Sequence, residues 1–314
     1  MNIIILGAAG FIGTNLAIQL SKNQNNKLTL VDREKYFFQN IEKMHLDNAE
    51  IRLSDLNIKT DFDSLLENQD IVYHLVSTTV PTTSNEHISM ELEENIIFSS
   101  NLFEACVRKG IKKIIFISSG GTIYGNVKDC PICETHTTNP ITSYGIQKLT
   151  IEKLLYLYSY IHGIDYRIIR LANPYGPYQR PNGILGAVTN FTYKALKKET
   201  IVVYGNGETV RDYIYIDDAI RGILQIADSE ETQYKIYNLG SGYGTSINKL
   251  LKIIEIVTEK ELDILYKSSR SVDVHINYLD ICRYEKDFGK LNPISLEEGI
   301  RKTAEFMVNH YDKE

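Results

Sequence analysis

The 314-residue chain carries a formal net charge of −6, with 43% hydrophobic and 24% charged residues, a balance that buries a sizeable core and excludes a disordered tract. No run of Lys and Arg exceeds a pair and no apolar stretch approaches the roughly 18 residues that cross a bilayer, so neither nucleic acid nor membrane is an expected partner. Four cysteines, Cys106, Cys130, Cys133 and Cys282, are too few for a disulfide framework and suit a reducing, cytoplasmic compartment.

Met1 to Leu6 lacks a basic start and is stopped by Gly7, which reads as a strand and not as a signal peptide. Further short apolar runs follow at Lys27 to Val31, Ile51 to Leu53, Ile71 to Leu75, Lys113 to Ser118 and Tyr166 to Leu171. Between them, segments 11–24, 61–68, 91–109 and 146–162 place apolar residues at three- and four-residue spacing, the period of an amphipathic helix. Alternating strands and helices predict an α/β fold with a doubly wound parallel sheet. After Leu171 the rhythm breaks at the Gly/Pro/Asn-rich stretch Asn173 to Gly186, which reads as a loop. Beyond it we expect a helix at 187–198, a strand at Ile201 to Tyr204, a strand-helix unit at 212–228, a helix at 246–258 and a last helix within 291–314.

The first strand runs into Gly7-Ala8-Ala9-Gly10-Phe11-Ile12-Gly13 and then a helix. Glycines there let the backbone approach a pyrophosphate and bring it to the free N–H groups of the helix start. Asp32 closes the second strand nineteen residues beyond Gly13. A carboxylate at that point accepts hydrogen bonds from the adenosine ribose and repels an additional 2′-phosphate, which favours NAD over NADP; the adjacent Arg33 argues the other way. Asp55 and Leu56, after the third strand, are expected near the adenine.

Tyr144 and Lys148 stand four residues apart at the start of a helix, on one face. An ammonium beside a phenol favours the phenolate, which would let Tyr144 act as a general base. Upstream, Ser118-Ser119-Gly120-Gly121-Thr122-Ile123-Tyr124-Gly125 ends a strand at the sheet edge where doubly wound folds bind ligands.

Together these segments resemble the extended short-chain dehydrogenase/reductase family, and within it the NAD-dependent nucleotide-sugar epimerases typified by UDP-galactose 4-epimerase. The resemblance spans nearly the whole chain and includes His74-Leu75-Val76-Ser77, Asn95, Arg170 to Pro177, Arg211 to Ala219 and Arg270 to Asp273. It implies a Rossmann domain over 1–176, rejoined by 211–240 and 291–314, and a smaller nucleotide-sugar lobe from 177–210 and 241–290. It also implies that Tyr144 exchanges a proton with the sugar and that Lys148 holds the nicotinamide ribose. Gly7, Gly10, Phe11, Ile12, Gly13, Asp32, Asp55, Leu56, Leu75, Ser77 and Asn95 would contact NAD. Asn173 and Arg211 would contact the diphosphate of the substrate, and Arg270 and Asp273 its nucleoside. A homodimer through two helices of each subunit is expected, with Leu154, Leu155 and Leu157 compatible with that interface or with the sheet.

The chain departs from the family at two points. Gly120 occupies the position where relatives carry a serine or threonine that assists proton transfer, so Thr122 or Ser119, with Thr122 preferred, would have to supply the hydroxyl. The position that gates sugar size falls at Asn277, small enough for an N-acetylated sugar, or at Tyr278 after a one-residue slip. The expected activity is 4-epimerisation of an NDP-hexose through a 4-keto sugar; a 4-ketoreductase using NAD(P)H and a catalytically silent NAD-binding regulator are the alternatives. Cys130-Pro131-Ile132-Cys133 has no second pair to complete a zinc site, and no metal is expected.

Overall fold

Runs that are apolar at every position become strands covered on both faces. The computed structural model describes residues 1–79, 84–181, 186–230, 232–268 and 274–311. In chain order its strands are β1 (Asn2–Leu6), β2 (Lys27–Asp32), β3 (Ala49–Leu53), β4 (Ile71–His74), β5 (Lys113–Ser119), β6 (Asp165–Leu171) and β7 (Asn173–Tyr175). They continue with β8 (Ile201–Tyr204), β9 (Val210–Tyr215), β10 (Ile236–Leu239), β11 (Gly244–Ser246), β12 (Ile264–Lys267) and β13 (Ile276–Asn277). One seven-stranded sheet has the order β10-β6-β5-β4-β1-β2-β3, and every pairing in it is parallel.

The helices are α1 (Phe11–Ser21), α2 (Gln39–Glu42), α3 (Phe62–Leu65), α4 (Ile88–Leu92), α5 (Phe98–Lys109), α6 (Ser143–His162) and α7 (Ala187–Lys197). After these come α8 (Ile216–Asp228), α9 (Ile247–Thr258), α10 (Cys282–Phe288) and α11 (Leu296–Tyr311). Strand alternation divides the core between the two faces of the sheet. Ile3 and Ile5 of β1 pack with Leu16 of α1 and Ile220 of α8, while Ile4 and Leu6 pack with Leu102 of α5 and Ile151 and Leu155 of α6. Leu155 therefore faces the sheet, whereas Leu157 is 47% exposed.

The strand order reverses at β1, between β2 and β4, which opens a crevice outside the carboxyl ends of those strands. A second sheet is built around β9, which pairs with β7, β11 and β13, and β8 pairs with β12. The segment 173–186 thus contains a strand, β7, where its composition suggests only a loop. Helix α6 begins at Ser143 and not 146, because the Thr142 hydroxyl accepts a hydrogen bond from Gly145 N at 3.2 Å and caps the first turn.

Candidate active site

The glycine turn is packed too tightly for side chains. Gly7 has φ +87°, and a Cβ on Gly13 would lie 2.3 Å from Gly7 O and 2.7 Å from Ala8 Cα, so α1 can approach the end of β1 only with glycine there. Gly10 precedes α1 without a side-chain cap, which leaves the first-turn N–H groups directed at the crevice, as a pyrophosphate requires. The Asp32 carboxylate accepts from Ala9 N at 3.0 Å and Arg33 N at 2.9 Å. It is thereby fixed beside the turn, where a ribose would reach it.

A cleft of about 680 Å³ starts at Gly7, Gly10, Phe11, Ile12 and Gly13 and passes Leu75 and Ser77 before reaching Tyr144 and Lys148. Asp55, Leu56 and Asn95 are not among its lining residues. Asp55 is exposed and Leu56 buried. Asn95 acts from behind: its Oδ1 accepts from Thr78 N at 3.0 Å and its Nδ2 donates to the Thr78 hydroxyl at 2.8 Å, which fixes the loop containing Ser77 and Thr79. The facing wall consists of Tyr178, Gln179 and Arg180. Asn15 Nδ2 ties that wall to α1 by donating to Pro177 O at 3.0 Å, and the Arg180 guanidinium lies 4.6 Å from the Phe37 ring centroid.

Around Tyr144 the strand end and α6 converge. Lys148 is 5% exposed and donates to Ile117 O at 3.0 Å, with its Nζ 5.7 Å from the Tyr144 ring centroid. Burial pulls Lys148 down to about 8, against the opposing pull of Glu152. The Tyr144 phenol is pushed up to about 12 by desolvation, and a side-chain hydrogen bond with Ser119 offsets part of the rise. In the ligand-free protein this desolvation opposes the phenolate that Lys148 is expected to favour.

Of the two candidate hydroxyls, that of Ser119 is the one that lowers the Tyr144 phenol, and Ser119 lines the cleft. Thr122 also lines the cleft, and its buried Oγ1 has no protein partner. Gly120 does not line it; a Cβ there would meet Leu279 Cδ1 at 2.5 Å and Arg170 O at 3.0 Å. A third-position hydroxyl is thus replaced by packing against Leu279.

On the substrate side, Asn173 and Arg211 line the cleft, and Asn173 Nδ2 is braced on Asp212 O at 2.8 Å. Both also line an adjoining pocket of about 250 Å³. Arg270 and Asp273 lie outside the described residues. Asn277 is fully buried and donates from Nδ2 to Gly120 O at 3.1 Å. Neither Asn277 nor Tyr278 is among the residues lining the cleft, so the structure places Asn277 under the strand-end loop and not against a sugar.

Sequence reasoning missed a buried polar network beneath the site. Arg170 meets Glu152 through Nε at 3.1 Å and Nη2 at 2.7 Å, and the Ser118 hydroxyl donates to the same carboxylate at 2.6 Å. Arg170 Nη1 also donates to Tyr124 OH at 2.9 Å, and Tyr124 OH donates to Asn238 Oδ1 at 2.7 Å. The signal was present: Glu152 is one helical turn beyond Lys148, and Arg170 interrupts an apolar strand, where a charge needs a partner. Among the described residues no group of three or more His, Cys, Asp or Glu is placed to hold a metal. No described helix is long and apolar enough to cross a membrane.

Residues 3–240 match the family model of the NAD dependent epimerase/dehydratase family. The chain is 32% identical over 309 residues to a putative UDP-glucose 4-epimerase of Methanocaldococcus jannaschii, covering 98% of this chain and 99% of the relative. Among solved structures, it is 33% identical to the UDP-glucose 4-epimerase of Thermotoga maritima with UDP-glucose, with a TM-score of 0.89 and coverage of 99% of this chain and 100% of that one. It is 27% identical to the UDP-glucuronic acid 4-epimerase of Bacillus cereus in complex with UDP-glucuronic acid and NAD, with a TM-score of 0.90 and coverage of 98% and 99%. With its glycine turn and Ser119, Tyr144 and Lys148 along one cleft and Asp32 bonded to the turn at Ala9 N, the chain belongs to the NAD-dependent epimerase/dehydratase family of the extended short-chain dehydrogenases/reductases.

Proposed function

We propose that the protein is an NAD-dependent UDP-sugar 4-epimerase acting on a UDP-hexose or UDP-N-acetylhexosamine. The observation that carries this is the position of Tyr144 and Ser119 on one continuous cleft, between the glycine turn and the Asn173–Arg211 end. NAD bound there supplies a reversible hydride acceptor and, in its oxidised form, a positive charge in the cleft. Tyr144 takes the proton of the sugar 4-hydroxyl and later returns it, with the Ser119 hydroxyl in the path. Lys148, fixed by Ile117 O, holds the nicotinamide ribose. Asn173 and Arg211 anchor the diphosphate in the lobe we assign to 177–210 and 241–290, and a planar guanidinium suits that role because it can donate two parallel hydrogen bonds.

Purified protein incubated with UDP-glucose or UDP-N-acetylglucosamine should give the corresponding galacto sugar by NMR without added NADH. Failure on both, with stoichiometric oxidation of NADH by a 4-keto sugar, would replace the epimerase by a ketoreductase.

We further propose a cytoplasmic homodimer. Ile146, Leu157 and Ile161 of α6 and Ile97 beside α5 are 47–59% exposed, which leaves an apolar face suited to a second copy. Sedimentation at the monomer mass at micromolar concentration would contradict this.

A further inference from the structure

We propose that Glu91 is a positioning residue that sets the place of the Tyr144 phenol from behind the catalytic helix. This rests on the epimerase reading above and extends it to a residue outside the cleft and outside the motifs assigned there. Tyr144 is the second residue of α6, and the first turn of a helix lacks intrahelical partners for its N–H groups and frays. A phenol that must meet one sugar hydroxyl therefore needs that turn held from outside. Two side chains hold it. Asn85 Oδ1 accepts from Ser143 N at 2.9 Å, and Glu91 Oε2 accepts from the Ser143 hydroxyl at 3.1 Å and from Gln147 Nε2 at 3.3 Å. One carboxylate oxygen thus grips the residue before Tyr144 and the residue before Lys148.

Only a carboxylate does this in a fixed sense. Glu91, in α4, is 6% exposed, and among the described residues both groups bonded to its carboxylate are neutral. Burying a charge without a counter-ion is costly, and here hydrogen bonds offset that cost. A carboxylate accepts and never donates, which makes Ser143 and Gln147 the donors. Gln147 gives its other Nε2 hydrogen to Ser143 Oγ at 2.9 Å, so its Oε1 is left to accept, and it does so from the Thr79 hydroxyl at 3.1 Å. Thr79 lines the cleft together with Tyr144. The charge of Glu91 therefore orients a chain of buried side chains that runs from α4 through the start of α6 to the cleft wall.

The test is Glu91→Ala, made in the wild type and again in Tyr144→Phe. In the wild type, kcat for the UDP-sugar should fall by about tenfold with KM within about threefold, because a small misplacement of a reacting group is enough for a loss of that order. In Tyr144→Phe, read by single-turnover NAD reduction, the same substitution should change the rate by less than about twofold, since residues that act as one unit are not additive. A residue that only supports the fold would cost both backgrounds the same factor. Equal losses in the two backgrounds, or none in the wild type, would overturn the assignment. If Glu91→Ala releases NAD or melts early, Glu91→Gln, equal in size but able to donate, is read by the same criterion: a loss of about threefold in the wild type and less than about twofold in Tyr144→Phe supports the assignment, and equal losses or none overturn it. A wild-type protein that converts no UDP-sugar would instead defeat the epimerase reading, and this inference with it, whereas an active wild type untouched by Glu91→Ala defeats the inference alone.

Discussion

Tyr144→Phe should lower turnover of the UDP-sugar by about a hundred- to ten-thousand-fold, the range supplied by a positioned general acid or base. The ring stays in place, and Lys148 remains bonded to Ile117 O, so the fold and bound NAD should survive. What disappears is the phenol oxygen to which we assign the substrate proton. Single-turnover measurement separates this from binding: NAD reduction by the UDP-sugar should slow by the same factor as overall epimerisation. Turnover within a few-fold of wild type would remove Tyr144 from the chemistry.

The second large effect concerns stability. Glu152 and Arg170 are 3% and 4% exposed and meet through two hydrogen bonds. Removing one member leaves the other charge buried and unpaired, at a cost of about 3–5 kcal/mol, a large share of a typical folding margin of about 5–15 kcal/mol. Arg170→Met alone should therefore unfold at much lower urea concentration than wild type. The double variant Glu152→Met/Arg170→Met should recover most of the loss, because no lone charge remains. A single variant within about 1 kcal/mol of wild type would show that water already reaches the pair.

The parallel sheet was legible because its strands are read from uninterrupted apolar runs such as Ile3 to Leu6, and its helices from a regular period. The glycine turn was equally clear, since Gly13 and the start of α1 obey a steric rule that sequence records directly. The second sheet was not. Strands β7, β11 and β13 are two or three residues long, too short for a period, and β7 is formed by pairing with β9, forty residues distant. At the site, Tyr144 and Lys148 came from their spacing and company, while for the assisting hydroxyl the sequence favoured Thr122 over Ser119. Asn277 misled because an ungapped count places a residue along the chain but not the direction of its side chain, and here that side chain turns inward to Gly120. The direction of the Tyr144 shift depends on desolvation, which spacing does not encode.

Gly120 and Leu279 are a lock and its key, and this constrains how the chain can have changed over time. A side chain at 120 collides with Leu279 and is tight against the Arg170 carbonyl, while Leu279 itself is fully buried. A serine could enter that position only after a permissive change had already made space at 279. Until then the hydroxyls the strand end offers to the cleft are those of Ser119 and Thr122, and a lineage that lost either could not regain one at 120 in one step. The strand end is thus historically entrenched: two residues far apart in the chain fix each other's identity, and through it the route by which this catalytic centre can be rebuilt.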